Sequence, residues 1–150
     1  IGLVSEAGMP AVADPGSSVV RAAHELGIRV VPLVGPVSLL LALAASGLNG
    51  QNFAFVGYLP QDGAARTQRL RELENLAAKH GQTQMFIETP YRNQALWDAL
   101  VNGLQGNTRL ARASGLTMAS MQVHCKTVQA WRSAGKAQIS GEPTVFLIGK

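Results

Sequence analysis

The chain has 150 residues, a formal net charge of +4 and a single cysteine, Cys125. Apolar residues make up 47% of the chain and charged residues only 15%, which excludes an extended disordered protein. A lone cysteine excludes an internal disulfide, so the chain suits a reducing compartment such as the cytoplasm. The basic balance permits a polyanionic partner such as RNA, although many soluble proteins are mildly basic.

The apolar runs are too short for a membrane protein. None approaches the roughly 20 uninterrupted apolar residues that a spanning helix needs. The richest stretch, residues 30–45, is broken by proline, glycine and serine. No signal peptide is evident. The chain starts at Ile1, without a methionine and directly on an apolar run, which predicts that an N-terminal part is missing.

Residues 1–50 predict a first α/β domain. In chain order the elements are a strand over 1–4, a helix over 19–26, a strand over 28–33 and a helix from 36 to about 45. Ser17 or Ser18 is the expected cap of the first helix, and Gly27 is its expected stop. Because two strands make too small a sheet to be stable alone, we expect this domain to be incomplete.

Residues 51–150 predict a second α/β domain. Strands are predicted over 53–58, 83–87, 108–113 and 143–148, and helices over 64–80 and 93–104. Residues 127–134 fit either a helix or an edge element. The alternation of strands and helices favours a mixed sheet in this domain.

Three loops combine glycine or proline with polar residues, and each follows a predicted strand. They are residues 5–16, 34–38 and 88–92. In open α/β sheets, ligands bind beyond the carboxyl ends of the strands. Each loop alone is more often just a turn, so the evidence for a site comes from their order and content.

The three loops, read together with residues 55–60, give four ordered motifs. These are SEAGMP at 5–10 with DPG at 14–16, VPLVGPVS at 31–38, FVGYLP at 55–60 and ETPYR at 88–92. The set resembles the tetrapyrrole methylase superfamily, and within it the branch of small-subunit ribosomal RNA methyltransferase I. The resemblance implies two α/β domains with the cofactor in a cleft between them.

The resemblance also implies site residues. Members of the family bind S-adenosylmethionine largely through backbone groups. The implied cofactor contacts are Ala7, Gly8, Met9, Pro10, Asp14, Gly35, Pro36, Val37 and Ser38. The implied substrate-side or cleft residues are Glu88, Pro90, Tyr91, Arg92 and Arg112, with residues 141–144 as a weaker candidate. No catalytic residue is identified.

The activity implied is S-adenosylmethionine-dependent methylation of a ribose 2′-oxygen in 16S ribosomal RNA, by a cytoplasmic homodimer that meets the RNA or the small subunit. Met9 replaces a usual threonine, Tyr91 replaces a usual histidine, and the acidic positions expected after Arg112 are absent. These departures also fit a divergent paralogue. Two further alternatives stay open: a methylase of a tetrapyrrole or other small molecule, and a non-enzymatic dimeric relative or inactive fragment.

Several other residues have plainer readings. The His124-Cys125 pair suggests a metal, but zinc needs three or four ligands and no second cysteine exists, so no metal is predicted. The arginines of the 64–80 helix form a solvated face or an RNA-facing stripe. Trp97 and Trp131 are expected to anchor packing rather than to stack on bases.

Overall fold

The computed structural model describes residues 1–6 and 8–150. They form two compact units, Ile1–Ser38 and Leu39–Lys150. The compact units divide after Ser38, and the domain boundary at about residue 50 stays a prediction. In the second unit, Asn49 Nδ2 donates to the Gly81 carbonyl at 2.7 Å and the Thr83 hydroxyl donates to the Asn49 carbonyl at 2.8 Å. These bonds tie the segment before residue 50 to the sheet unit.

The first unit contains helix α1 (Ser17–Glu25), and none of its residues is buried. The predicted serine cap is wrong: Gly16, at φ 136°, is the cap residue, and no side chain caps the helix. The predicted stop is confirmed, because Gly27 follows the helix at a left-handed φ of 67°. The predicted strands over 1–4 and 28–33 are also wrong. Neither run pairs with a strand among the described residues, and without a neighbouring strand an apolar run forms no ladder.

Helix α2 (Ser38–Ser46) starts at the last residue of the first unit, and its remaining residues open the second unit, which continues into a five-stranded mixed sheet. The strands are β1 (Phe53–Tyr58), β2 (Thr83–Ile87), β3 (Arg109–Ser114), β4 (Gln122–Thr127) and β5 (Thr144–Gly149). Their order in the sheet is β1-β2-β5-β3-β4; β1 and β2 are parallel, and every other pair is antiparallel. The predicted mixed sheet is therefore confirmed.

Three helices connect the strands: α3 (Gly63–His80), α4 (Asn93–Gly103) and α5 (Val128–Ser133). Asp62 caps α3 by accepting from Ala65 N at 2.9 Å, and Gly81 ends it at a left-handed φ of 62°. Thr127 caps α5 by accepting from Ala130 N at 3.2 Å. No helix among the described residues is both long and apolar enough to cross a bilayer.

The core of the second unit combines one face of the sheet with all three of these helices. Its members are Leu59, Leu70, Leu73, Phe86, Leu96, Trp97, Leu100, Leu104, Leu110, Val128, Trp131, Phe146 and Ile148. Across the sheet, Phe86 pairs with Phe146, and Phe146 pairs with Arg112. Residues 110, 112 and 114 of β3 point to the same face of the sheet, and Leu110 belongs to the core that the helices cover. Arg112 therefore projects on the helix side of the sheet.

The second unit departs from the predicted elements at three places. The helix expected from Pro36 begins at Ser38. Residues 127–134 resolve into the helix α5 rather than an edge element. The edge strand β4 was not predicted, because its side chains alternate only between exposed and half-buried and give no apolar run.

Two leucines on α3 provide a direct test of this packing. Leu73 is fully buried, whereas Leu76 is 37% exposed. We expect Leu73→Ala to lower the free energy of unfolding by about 2–5 kcal/mol, because it removes buried methyl groups and leaves a cavity. Urea unfolding measures this, with Leu76→Ala as the matched control that loses far less. Equal losses for the two variants would contradict the described face of α3.

Candidate functional site

One edge of the sheet collects the polar side chains that the loops of the second unit carry. The parallel strands β1 and β2 both end at this edge, at Tyr58 and Ile87. The antiparallel β5 starts there at Thr144, and β3 ends there at Ser114. Because ligands in α/β proteins bind beyond the carboxyl ends of parallel strands, this edge is the candidate site of the second unit.

Glu88 follows β2 directly and is firmly anchored. Its Oε1 accepts from Thr89 N at 2.7 Å, from Thr89 Oγ1 at 3.2 Å and from Arg92 Nε at 3.2 Å. The Glu88 side chain is only 4% exposed. Three donors offset part of the cost of burying this carboxylate, and one of them is a cation. Glu88 is therefore placed to orient Arg92.

Tyr91 and Arg92 form a contact pair at the surface. Arg92 Nη1 donates to the Tyr91 hydroxyl at 2.5 Å, and the guanidinium carbon lies 4.7 Å from the Tyr91 ring centroid. Both belong to a 3-10 turn, Pro90–Arg92, in which Pro90 supplies a preset φ at the first position. Tyr91 is 78% exposed. A held guanidinium and an exposed ring are groups that contact phosphates and bases in RNA.

Asn93 joins this loop to the start of β5, and sequence reasoning missed it. Its Nδ2 donates to the Glu142 carbonyl at 3.0 Å, and its buried Oδ1 has no partner among the described residues. The bond brings residues 88–92 and 141–144 together, two segments that the sequence analysis named separately. The sequence did contain a signal for Asn93, because it is a polar residue directly after a candidate loop and at the start of a predicted helix.

Arg112 lies at the same edge but in a different environment. Its guanidinium carbon lies 5.1 Å from the Trp97 ring centroid and 5.3 Å from that of Trp131. Burial lowers the pKa of Arg112 from its ordinary value. Strand β5 separates β3 from β2, and no hydrogen bond or ion pair joins Arg112 to Glu88 among the described side chains. The structure therefore gathers Glu88, Tyr91 and Arg92 but leaves Arg112 apart from them.

The first predicted cofactor loop lies in the other compact unit. Ala7 lies outside the described residues. Gly8 has a φ of 96°, and a side chain there would meet nothing within 4 Å. Met9 is half-buried and Pro10 is exposed, and Val12 N donates to the Met9 carbonyl at 3.1 Å. The loop is therefore a tight turn with an open face at its glycine.

Two further features hold this loop in shape. The Ser5 hydroxyl donates to Asp14 Oδ1 at 2.6 Å and bridges the two ends of the loop. Ala11 and Ala13 have φ values of 67° and 54°, in the left-handed region that non-glycine residues seldom adopt. Such strain is found preferentially where a loop is shaped for a ligand.

The second predicted cofactor segment, Gly35 to Ser38, is an extended stretch that leads into α2. Gly35, Pro36 and Ser38 are exposed and Val37 is half-buried. No hydrogen bond links this segment to the 5–16 loop among the described residues. Both segments thus expose backbone groups, while the role of each residue stays a prediction.

The His124-Cys125 pair does not form a chelating site in β4. Adjacent strand residues point to opposite faces, so the imidazole and the thiol diverge. In the described part of the chain, no group of three or more metal-ligating side chains is assembled. Burial raises the pKa of the Cys125 thiol, and the nearby Arg109 charge partly opposes that rise.

Solved structures define the class of fold. The methyltransferase CobJ matches 95% of this chain and 62% of its own chain with a TM-score of 0.57 at 19% identity. Uroporphyrin-III C-methyltransferase from Thermus thermophilus, complexed with S-adenyl homocysteine, matches 95% and 63% with a TM-score of 0.54 at 19% identity. The chain therefore has an α/β fold of the kind seen in these methyltransferases.

Sequence comparison gives the family. The profile of the Tetrapyrrole (Corrin/Porphyrin) Methylases matches residues 1–130, so the chain belongs to this family. It is 38% identical over 117 residues to ribosomal RNA small subunit methyltransferase I of Vibrio cholerae, across 78% of this chain and 39% of that protein. The protein of the same name in Pseudomonas aeruginosa is 35% identical over 152 residues, across 99% and 52%. The chain thus spans about half or less of the length of these two relatives.

The Glu88 anchor can be tested through stability. Glu88→Gln removes a buried charge that three donors surround, and we expect it to lower the free energy of unfolding by about 1–3 kcal/mol. Chemical denaturation measures the loss. The control is Glu72→Gln, which removes the charge of the exposed Arg69–Glu72 pair, whose side chains are 39% and 50% exposed, and which should change stability little. A neutral result for Glu88→Gln would show that its bonds do not hold the loop.

Proposed function

We propose that the protein is an S-adenosylmethionine-dependent methyltransferase that acts on small-subunit ribosomal RNA, at a ribose 2′-hydroxyl. The observation that carries this proposal is the family match, together with relatives that are named as ribosomal RNA small subunit methyltransferase I. The solved tetrapyrrole methyltransferases, at 19% identity, support the fold alone and do not favour a small-molecule substrate.

The first compact unit fits the proposed cofactor through its backbone. Bound S-adenosylmethionine supplies an activated methyl group on a sulfonium sulfur. The loop at Gly8 offers backbone groups beside an open glycine face, and the segment at Gly35 offers an exposed backbone as well. Backbone donors and acceptors can satisfy a carboxylate and an adenine without a buried unpaired charge. We propose that these two segments hold the cofactor.

The second unit supplies the proposed RNA side. Glu88 orients Arg92, and Arg92 contacts the exposed Tyr91, so a charge and an aromatic ring are held together at the edge where the strands end. The net charge of +4 favours a polyanionic partner. We propose that this pair positions the RNA strand near the reacting ribose. Methyl transfer to a positioned 2′-hydroxyl breaks the bond from the methyl carbon to the sulfonium sulfur and releases the hydroxyl proton, so it needs little acid–base chemistry beyond that one proton removal.

The remaining features of the proposal concern organisation. We propose that the complete protein has two α/β domains with the cofactor in a cleft between them, with a boundary near residue 50. We propose further that it acts as a cytoplasmic homodimer and uses no metal. The ribosomal partner is the small subunit or its RNA, as the names of the relatives suggest.

A pair of glycines in the first unit tests the cofactor segment. Gly8 and Gly27 both have positive φ, at 96° and 67°, and a side chain at either meets nothing within 4 Å. Gly8→Ala and Gly27→Ala therefore introduce similar strain, but only the first lies in the proposed cofactor loop. We expect calorimetry with S-adenosylhomocysteine to show binding weakened at least about tenfold, or 1.4 kcal/mol, by Gly8→Ala alone. Equal effects of the two changes would contradict the assignment.

A methylation assay tests the substrate. The protein encoded by the complete reading frame is incubated with radiolabelled S-adenosylmethionine and small ribosomal subunits that lack the modification. We expect label on a ribose 2′-oxygen of 16S ribosomal RNA, and a raised KM for Tyr91→Ala because the exposed Tyr91 ring is the proposed RNA contact. Phe53→Ala is the matched control, since Phe53 is an exposed aromatic residue at the opposite end of β1. Label on a tetrapyrrole but not on the subunits would identify the small-molecule alternative.

A further inference from the structure

Arg112 is held in a fixed position by aromatic rings. Its guanidinium lies 5.1 Å from the Trp97 ring and 5.3 Å from the Trp131 ring, measured from the guanidinium carbon to the ring centroids. The two rings meet edge to face at 4.9 Å and 87°. Trp131 Nε1 donates to the Leu110 carbonyl at 2.8 Å, which fixes that ring against β3 itself. The position of the guanidinium is therefore set before any ligand arrives.

The same guanidinium lacks an anionic partner. Among the described residues, the Arg112 guanidinium forms no ion pair and donates no hydrogen bond, although Arg112 is half-buried. The carboxylate of Glu142, just before β5, instead accepts a hydrogen bond from the Ser120 hydroxyl at 3.1 Å. Burial lowers the pKa of Arg112, yet an arginine stays charged at neutral pH. A desolvated cation without a partner is costly, and an anionic ligand would offset that cost.

Arg112 borders a cavity of about 420 Å³ whose other polar walls are neutral. The polar lining consists of Arg112, Ser114, Gln122, Gln138, Ser140 and Thr144. Ser114 pairs with Gln122 on one side and with Thr144 on the other, so these three side chains form one row at the sheet edge. No aspartate or glutamate lines the cavity in the described part of the chain. The walls thus combine one cation with hydroxyl and amide donors.

We propose that this cavity binds a phosphate group of the RNA substrate, with Arg112 as its charged ligand. The identity of the RNA rests on the proposed function, whereas the choice of phosphate rests on the lining. A guanidinium presents paired N–H donors that match phosphate oxygens, and neutral hydroxyls and amides complete such a site. Backbone phosphate contacts fix the register of a nucleic acid without reading its sequence. Arg112 therefore sets the position of the strand, while Tyr91 and Arg92 meet it elsewhere along the same edge.

The test measures binding rather than turnover. The protein from the complete reading frame is titrated against a labelled single-stranded RNA of about 12 nucleotides, by fluorescence anisotropy over a salt series. We expect Arg112→Gln to weaken binding about tenfold and to reduce the magnitude of the salt slope by about 0.7, the value for one lost phosphate contact in a single strand. Arg109→Gln is the matched control, because Arg109 is an exposed arginine of the same strand on the opposite face.

Tryptophan emission provides a second readout at the cavity itself. The chain has two tryptophans, and both rings contact Arg112. We expect their emission to change when RNA is added, and the change to be lost in Arg112→Gln. Inorganic phosphate is titrated in parallel and should compete with RNA only weakly. An emission change with inorganic phosphate but none with RNA would overturn the proposal, because the cavity would then serve a small phosphate.

A second variant, with a charge added at the rim of the cavity, keeps the test valid if the arginine variant misfolds. Gln122→Glu adds a negative charge at an exposed lining position and should weaken RNA binding, whereas Gln129→Glu adds the same charge on α5 at the far end of β4 and should not. Unchanged RNA binding in both Arg112→Gln and Gln122→Glu would overturn the proposal. Losses of binding just as large in the controls Arg109→Gln and Gln129→Glu would overturn it as well. Methylation by the wild-type protein is measured separately, and a lack of methylation would contradict the proposed function independently of the RNA-binding result.

Discussion

The contact between Trp97, Trp131 and Phe146 on one face of the sheet is the interaction on which the second unit depends. The two tryptophans meet edge to face, and Trp97 also lies 6.4 Å from Phe146 between ring centroids. Trp97 belongs to α4, Trp131 to α5 and Phe146 to β5, so three segments far apart in sequence are fixed to one another. Both candidate features of the edge follow from this. The Glu88 loop leads into α4, and Arg112 rests on the two indole rings.

The two charged features at the edge are held by different means. Arg92 is oriented by the buried carboxylate of Glu88, so its charge is already compensated within the protein. Arg112 is oriented by aromatic rings, which attract a cation but do not neutralise it. A guanidinium paired with a carboxylate presents oriented hydrogen-bond donors with little net charge, whereas a guanidinium without a carboxylate partner presents a net positive charge. The edge can thus combine shape recognition at Tyr91 with electrostatic attraction at Arg112.

Local patterns in the sequence predicted most of the second unit, because its strands and helices carry clear apolar periods and caps. The strands at 53–58 and 83–87 and the helix at 64–80 are confirmed within a residue. The errors arise where a local sequence pattern does not determine whether a segment forms a strand. An apolar run such as 28–33 becomes a strand only beside another strand, and β4 alternates too weakly to stand out. The motifs located the loop at Glu88, but the contacts of Arg112 with two distant tryptophans required the fold.

The departures from the family motifs act differently in the two units. In the first unit, Met9 stands where the family usually has threonine, but the proposed contacts there use the backbone, which a change of side chain leaves in place. At the sheet edge the proposed contacts use side chains, so Tyr91 in place of histidine alters the surface that we propose meets the substrate. The absence of acidic residues at 113–116, directly after Arg112, also makes this edge more positive. On the proposed function, the same fold can therefore keep its cofactor while the RNA contacts diverge, because only the RNA contacts depend on side-chain identity.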